Sequence, residues 1–509
     1  MLQARDRPPV EEAIHSLPHD ASTVTTPPTT TTATTTASNR PRHHHDGQPR
    51  APVPHGVEIT TRADLSLLYR VLRAVIKPLR PRLVRPRDPA QPAGSPRLSP
   101  PKKRNVEIAE TRCEGVWMYR VRATGGKGKG GVERAGGPRG DGMSAAGGGG
   151  FGNLASGVVS DGSTGHHGQA VNPRGCGRRH RVYYFCGGGF QTPPAPEHWR
   201  FLALLTQDLA NRRLHPPAAE NSPRADILRR DMDIELVLVS YPLAPNSPAR
   251  ESLRVLKQWL TKVLDEAVEN GDTLSLMGDS SGGNVVLSLG FWAVQNYALT
   301  PQQQQQQQQQ VSPRADPSLA DDGTMRPPNG TPRTSPRFPL TSLISISAPT
   351  DLTNSNPQIR EADKLDCVLT AALTREVAEV WTGNRNSDGN GHGPKNQDPS
   401  SYGAIPLADS SVSPLRNPEA AFHALKDRQV NVHGVLGTHD VLAPDGIEFM
   451  RKCQRLGVTG KWLVWEGQMH CFPLAGGGGV IGIREGREGR GFVVDLLRRD
   501  CEREGQMMY

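Results

Sequence analysis

Apolar residues in this chain fall into short β-rich runs and longer helical periods, separated by stretches with no period at all. Runs at 106–110, 116–121, 182–185, 234–240, 273–277, 342–347, 430–436 and 462–465 predict eight strands. Between most of the later ones the period lengthens to that of a helix, near 198–211, 249–270, 281–295, 360–381, 445–454 and 492–501. Strands that alternate with helices predict an α/β fold, an open and mostly parallel sheet covered on both faces. Ligands of such sheets sit at the C-terminal ends of the strands.

One helical period stands apart, at 64–77. Leu65, Leu68, Tyr69, Leu72, Val75 and Ile76 are expected on one face and Arg70, Arg73 and Lys77 on the other, with Asp64 as N-cap and Pro78 as the stop. A basic amphipathic helix suits an anionic membrane surface. It equally suits the apolar mouth of the domain that follows, as a cap. The aperiodic stretches set the remaining boundaries. Residues 1–56 are expected to be a Thr/Pro/His-rich tail and 57–104 the helix with its linker. Residues 105–509 form the main domain, with surface insertions at 125–177, where 20 residues are glycine, and at 301–337, which opens on nine glutamines.

Composition narrows the function. Only 35% of the 509 residues are hydrophobic, and 54 are glycine and 45 proline, so much of the chain lies outside any core. That excludes collagen, coiled coils and polytopic membrane proteins. The net charge of +9 equals the cation excess of residues 51–104 alone, so no broad basic face for nucleic acid is implied. Seven widely spaced cysteines without a CxxC pair read as reduced thiols, which predicts an intracellular, cytoplasmic protein with at most peripheral contact to a membrane. No apolar leader or spanning run is found. His43, His44 and His45 read as a solvated tail tract, and neither metal nor cofactor is called for.

The chemistry concentrates where strands end. The run 274–277 leads into Gly278-Asp279-Ser280-Ser281-Gly282-Gly283-Asn284, a GxSxG followed by an apolar helix. A sharp strand-to-helix turn pushes Ser280 out of the sheet as a nucleophile, and Gly278 and Gly282 remove side chains that would collide there. Ser281 offers its backbone N–H to an oxyanion. Serine needs a base, and the base needs an acid to orient it. Asp440 follows the strand at 430–436 and His470 the strand at 462–465, so both are expected at the same rim as Ser280. His439 is the rival base; Asp445 and Glu466 are weaker acids, expected as solvated loop or cap residues. After the strand at 182–185, Gly187, Gly188 and Gly189 let a loop bring further amides close to substrate.

Five segments then carry a resemblance: CGGGF at 186–190, YPLAP at 241–245, GDSSGGN at 278–284, GTHDVL at 437–442 and GQMHCF at 467–472. In this order they resemble α/β-hydrolases of the hormone-sensitive-lipase-like (alpha/beta hydrolase-3) esterase and lipase family, over roughly 106–501. The resemblance implies an eight-stranded α/β-hydrolase fold with an N-terminal helical cap. It implies a serine esterase, lipase or deacetylase acting on a small-molecule or lipid ester, with Ser280 acylated, His470 moving its proton and Asp440 orienting the imidazole. Gly188, Gly189 and Ser281 would hold the oxyanion, with Gly187, Gly278, Asp279 and Gly282 shaping the motifs. Cys186 stands where the family has a histidine that braces the glycine loop, and is expected as a buried, inert thiol. Asp351 resembles a structural turn residue of the family. Plant gibberellin receptors share the fold and bind without turnover, but lack the family histidine that this chain keeps as His470. A scaffold built on the Thr, Gly and Gln tracts would rest on composition alone.

Overall fold

The computed structural model describes residues 56–80, 90–102, 105–124, 179–214, 233–298, 338–384, 403–476 and 482–506. The expected tail through residue 55 and both expected insertions lie outside them. Nine strands are formed: β1 Val57–Arg62, β2 Val106–Cys113, β3 Val116–Ala123, β4 Arg179–Phe185, β5 Asp233–Ser240, β6 Thr273–Asp279, β7 Leu340–Ile346, β8 Asn431–Gly437 and β9 Gly460–Trp465. They join one sheet in the order β1-β9-β8-β7-β6-β4-β5-β3-β2. β3 runs antiparallel to both its neighbours, β2 and β5, and every other pair is parallel.

All eight expected strands are present, and the count is corrected to nine. β1 lies in the stretch read as helix and linker, yet it pairs in parallel with β9 from Val57↔Gly460 to Arg62↔Trp465. Its side chains are half-buried at best, as on an edge strand, so its apolar alternation stops after Val57 and Ile59.

The helices are α1 Leu67–Ile76, α2 Pro196–Leu214, α3 Ala249–Asn270, α4 Ser280–Asn296, α5 Ile359–Leu365, α6 Ala371–Thr382, α7 Glu419–Asp427, α8 Ala443–Arg455 and α9 Arg484–Gln506. Strand alternation sorts the core into two layers. Tyr183, Phe185, Val237 and Val239 face α3, α4, α7 and α8 around Trp259, Phe291, Phe422 and Phe449. Val182, Tyr184, Leu236 and Leu238 face α2 and α9 around Phe201, Leu202, Val493 and Leu497. Burying each such side chain contributes about 1.5–3 kcal/mol.

Three helical expectations change. The single helix at 360–381 is two, because Asp366 accepts hydrogen bonds from the backbone N–H groups of Val368 and Leu369 and Thr370 caps α6 through Leu373 N. α7 was not anticipated. α1 starts after Ser66, whose hydroxyl caps Tyr69 N, while Asp64 pairs with Arg62 and Arg484. As expected, the α-helix ends before Pro78, at Ile76, and the proline sits in a 3-10 turn, Lys77–Leu79. Among the described residues no helix is long and apolar enough to cross a membrane.

Candidate active site

β6 ends in Asp279, and Ser280 turns into α4 with φ 49°, a left-handed conformation that few non-glycine residues adopt. This lifts its side chain off the sheet rim. His470, in the loop after β9, places Nε2 2.9 Å from Ser280 Oγ. Its Nδ1 lies 2.8 Å from Asp440 Oδ2, in the loop after β8. With the proton on Nδ1 facing the carboxylate, Nε2 is left to accept from the serine hydroxyl. Asp440 is fully buried, and its second oxygen accepts from Leu442 N–H at 2.9 Å. Burial works to lower the pKa of His470. The Asp440 carboxylate outweighs it and, with Cys471 beside the ring, holds the imidazole well above its ordinary value.

Of the rival groups, His439 offers its backbone N–H to Gln468 O, and Glu466 is exposed as expected. Asp445 departs from expectation. It is buried on α8 rather than solvated, and burial together with the nearby Asp351 carboxylate pushes its carboxyl up to about 7. Asp351 itself pairs with Arg416.

The glycine loop closes on the serine from β4. A Cβ on Gly187 would lie 2.6 Å from Asp279 Oδ2 and 2.8 Å from Ser280 Cβ, so only glycine allows this approach. Gly188 and Gly189 take φ values of 138° and 59°. Gly188 O accepts from Gln191 N, Thr192 N and Thr192 Oγ1, and the planar peptide turns the Gly189 N–H the opposite way. Ser281 is buried at the first turn of α4, where backbone N–H groups have no intrahelical acceptor. Its hydroxyl instead lies 3.3 Å from that of Tyr241.

Cys186 is buried, and burial drives its thiol pKa well up. It therefore packs like a small apolar residue and does not brace the loop. That task falls to Asp279, whose carboxylate accepts from Gly187 N at 3.1 Å, from the Tyr184 hydroxyl and, across 3.3 Å, from His198 Nε2. Ala195 N donates to His198 Nδ1, which leaves the ring proton on Nε2 for Asp279. Despite burial, the His198 imidazole holds this carboxyl below its usual range. Sequence reading missed His198. It also missed Asp366, a buried carboxylate that accepts from Val441 N at 2.9 Å and so fixes the loop carrying Asp440. Burial, with Asp440 close by, pushes the Asp366 carboxyl up to about 6. The one available signal was a helix-capping Asp and Thr inside an otherwise periodic stretch. Cys471 Sγ, 3.3 Å from His470 Nε2, is a second group at the same ring nitrogen, and burial pushes its pKa up to about 11.

A sequence model described as alpha/beta hydrolase fold matches residues 220–474. Solved structures with a similar chain path include an esterase/lipase from an uncultured bacterium, 14% identical, covering 86% of this chain and 99% of that one with a TM-score of 0.46. Another is a hormone-sensitive lipase from a metagenome library, also 14% identical, covering 86% and 93% with a TM-score of 0.46. No curated protein matches the chain. With the match spanning half of its length, the chain belongs to the alpha/beta hydrolase fold family, and its five motifs resemble the hormone-sensitive-lipase-like group.

Proposed function

We propose that the protein is a serine carboxylic-ester hydrolase that works through an acyl-enzyme. The family supports ester hydrolysis in general. The observation that carries the finer reading is the continuous path from Ser280 Oγ through His470 to Asp440, at 2.9 and 2.8 Å.

In this reading Ser280 Oγ attacks the ester carbonyl carbon as its proton passes to His470 Nε2. The oxyanion that forms meets the amides of Gly188, Gly189 and Ser281, the last at the positive end of α4. The Asp440 carboxylate stabilises the imidazolium. Collapse of the intermediate breaks the C–O bond, and the leaving alkoxide takes the proton back from His470. Water then repeats the sequence on the acyl-serine, releasing the carboxylic acid and restoring the hydroxyl. Because Asp279 already holds Gly187 N–H, the next two amides of that loop are the ones left for substrate.

Intact-protein mass spectrometry after a fluorophosphonate probe tests this, with the adduct expected on the peptide that contains Ser280. Binding of an apolar ligand with no adduct would return the chain to a receptor role on the same fold.

The pH dependence has a definite sign. His470 must be neutral to take the serine proton, so kcat/KM should fall as pH drops through its pKa. Since that pKa is raised, the midpoint should lie above about 6.5, the ordinary imidazole value. A stopped assay of kcat/KM against pH on a substrate that does not titrate checks it, and a midpoint below the ordinary value would contradict the buried pair.

A further inference from the structure

Every exposed large hydrophobic side chain among the described residues lies on one element: Leu67, Leu68, Val71 and Val75 on α1 and Leu79 in the turn that continues it. Leu67, Val71, Val75 and Leu79 are spaced four residues apart, so they form a single ridge. Leu67 is 78% and Val75 60% exposed. The ridge is not the helix's docking face, because Tyr69 is fully buried and Leu72 and Ile76 pack against the core. Arg70, Arg73 and Lys77, with Arg80 just beyond, flank the ridge, and residues 65–80 include no acid. Arg73 and Lys77 reach only neutral carbonyls, of Gly467 and Lys364, so their charge is not offset there. Arg80 pairs with Asp363.

We infer that this ridge and its basic flank seat the protein on an anionic lipid surface, with the apolar side chains entering the headgroup boundary and the cations meeting acidic headgroups. Charge selects this occupant over two others. A second copy of the chain, docked ridge to ridge, would bring like-charged flanks together. The 55 residues that precede β1's region carry five cations and five acids, so they bring no net negative charge to the flank. The location also matters. Tyr69 Oη donates to Gly467 O at 2.9 Å, and Gly467 opens the loop that carries His470. The lipid-facing helix therefore borders the rim of the candidate site. That the site then receives lipid esters rests on the esterase reading above; the docking itself does not.

Sedimentation of the full chain with phosphatidylcholine vesicles, made with and without phosphatidylserine, tests the inference. Binding is expected only when phosphatidylserine is present, and it should weaken with added salt. The variant Leu67→Ser/Val71→Ser/Val75→Ser should bind at least about tenfold more weakly while hydrolysing a soluble short ester at the parental rate. Ser280→Ala should sediment like the parent, which separates failure of docking from failure of the catalytic reading. The inference is overturned if the parent stays in the supernatant with both vesicles. It is equally overturned if the triple variant converts a dimer to a monomer without altering sedimentation, or if amides at 67–79 resist hydrogen exchange as strongly without lipid as with it.

Discussion

Alanine at Ser280 is expected to lower kcat for a short p-nitrophenyl ester by roughly ten-thousandfold to a millionfold. The size follows from the proposed role, in which without Oγ no acyl-enzyme forms and only the oxyanion amides and substrate binding remain to favour water attack. His470→Ala should cost about as much, since the hydroxyl 2.9 Å away would have no acceptor for its proton. The double variant should be no slower than either single one, because groups that act in one proton path are not additive. Thermal unfolding should change little in Ser280→Ala, as a hydroxyl at the rim contributes one hydrogen bond. Full activity in either single variant would sink the assignment, and a double variant slower by the product of the two would show two separate contributions.

Those residues were legible because each sits in a local pattern at a strand end. A strand followed by GxSxG and an apolar helix specifies a backbone turn, so Ser280 is placed by geometry close to it in sequence. Asp440 and His470 each come a few residues after a buried run, so the parallel sheet brings them to the same rim. His198 had no such marker. It reaches Asp279 from α2, and its role follows only from where that helix packs. Asp366 was hidden by periodicity that continues on both sides of it; side-chain capping of Val368 and Leu369 interrupts the helix more strongly than the apolar period extends it. The N-terminal helix shows a different limit. Its apolar arc is wider than one partner can cover, so the pattern predicts amphipathicity but not which residues turn inward. Leu68 and Val75, grouped with Tyr69 in the sequence, face outward.

Cys186 shows how a departure in sequence is absorbed in three dimensions. The family histidine at that position is replaced by a thiol that points into the apolar layer with Tyr184 and Leu238. The loop remains tied to the elbow because Asp279, adjacent to Ser280, carries the bond to Gly187 N. The turn that carries Ser280 and the glycine loop are thus tied through one carboxylate, and a shift of either is transmitted to the other.

That coupling gives Gly282→Ala the second large effect. A Cβ at 282 would fall 2.1 Å from the carbonyl oxygen of Phe185, 2.5 Å from its carbon and 2.8 Å from Cys186 O. All three are backbone atoms at the end of β4, and no rotamer change relieves them. Replacing glycine by alanine inside a helix gains about 1 kcal/mol of propensity, but overpacking against fixed atoms typically costs 1–3 kcal/mol and here meets main chain, so a net loss of at least about 2 kcal/mol is expected in urea unfolding. Any relaxation must move Phe185 and Cys186, and with them the amides of Gly188 and Gly189. A displacement of about 1 Å there should lower kcat about a hundredfold even in protein that remains folded. Gly290→Ala is the matched control on the same helix, since the nearest atoms to its Cβ would be those of the Leu343 side chain, at 2.3–2.9 Å, and not main chain of the glycine loop. It should lose less stability and keep the parental kcat. Equal losses of kcat in the two variants would show that the elbow and the glycine loop are not mechanically coupled.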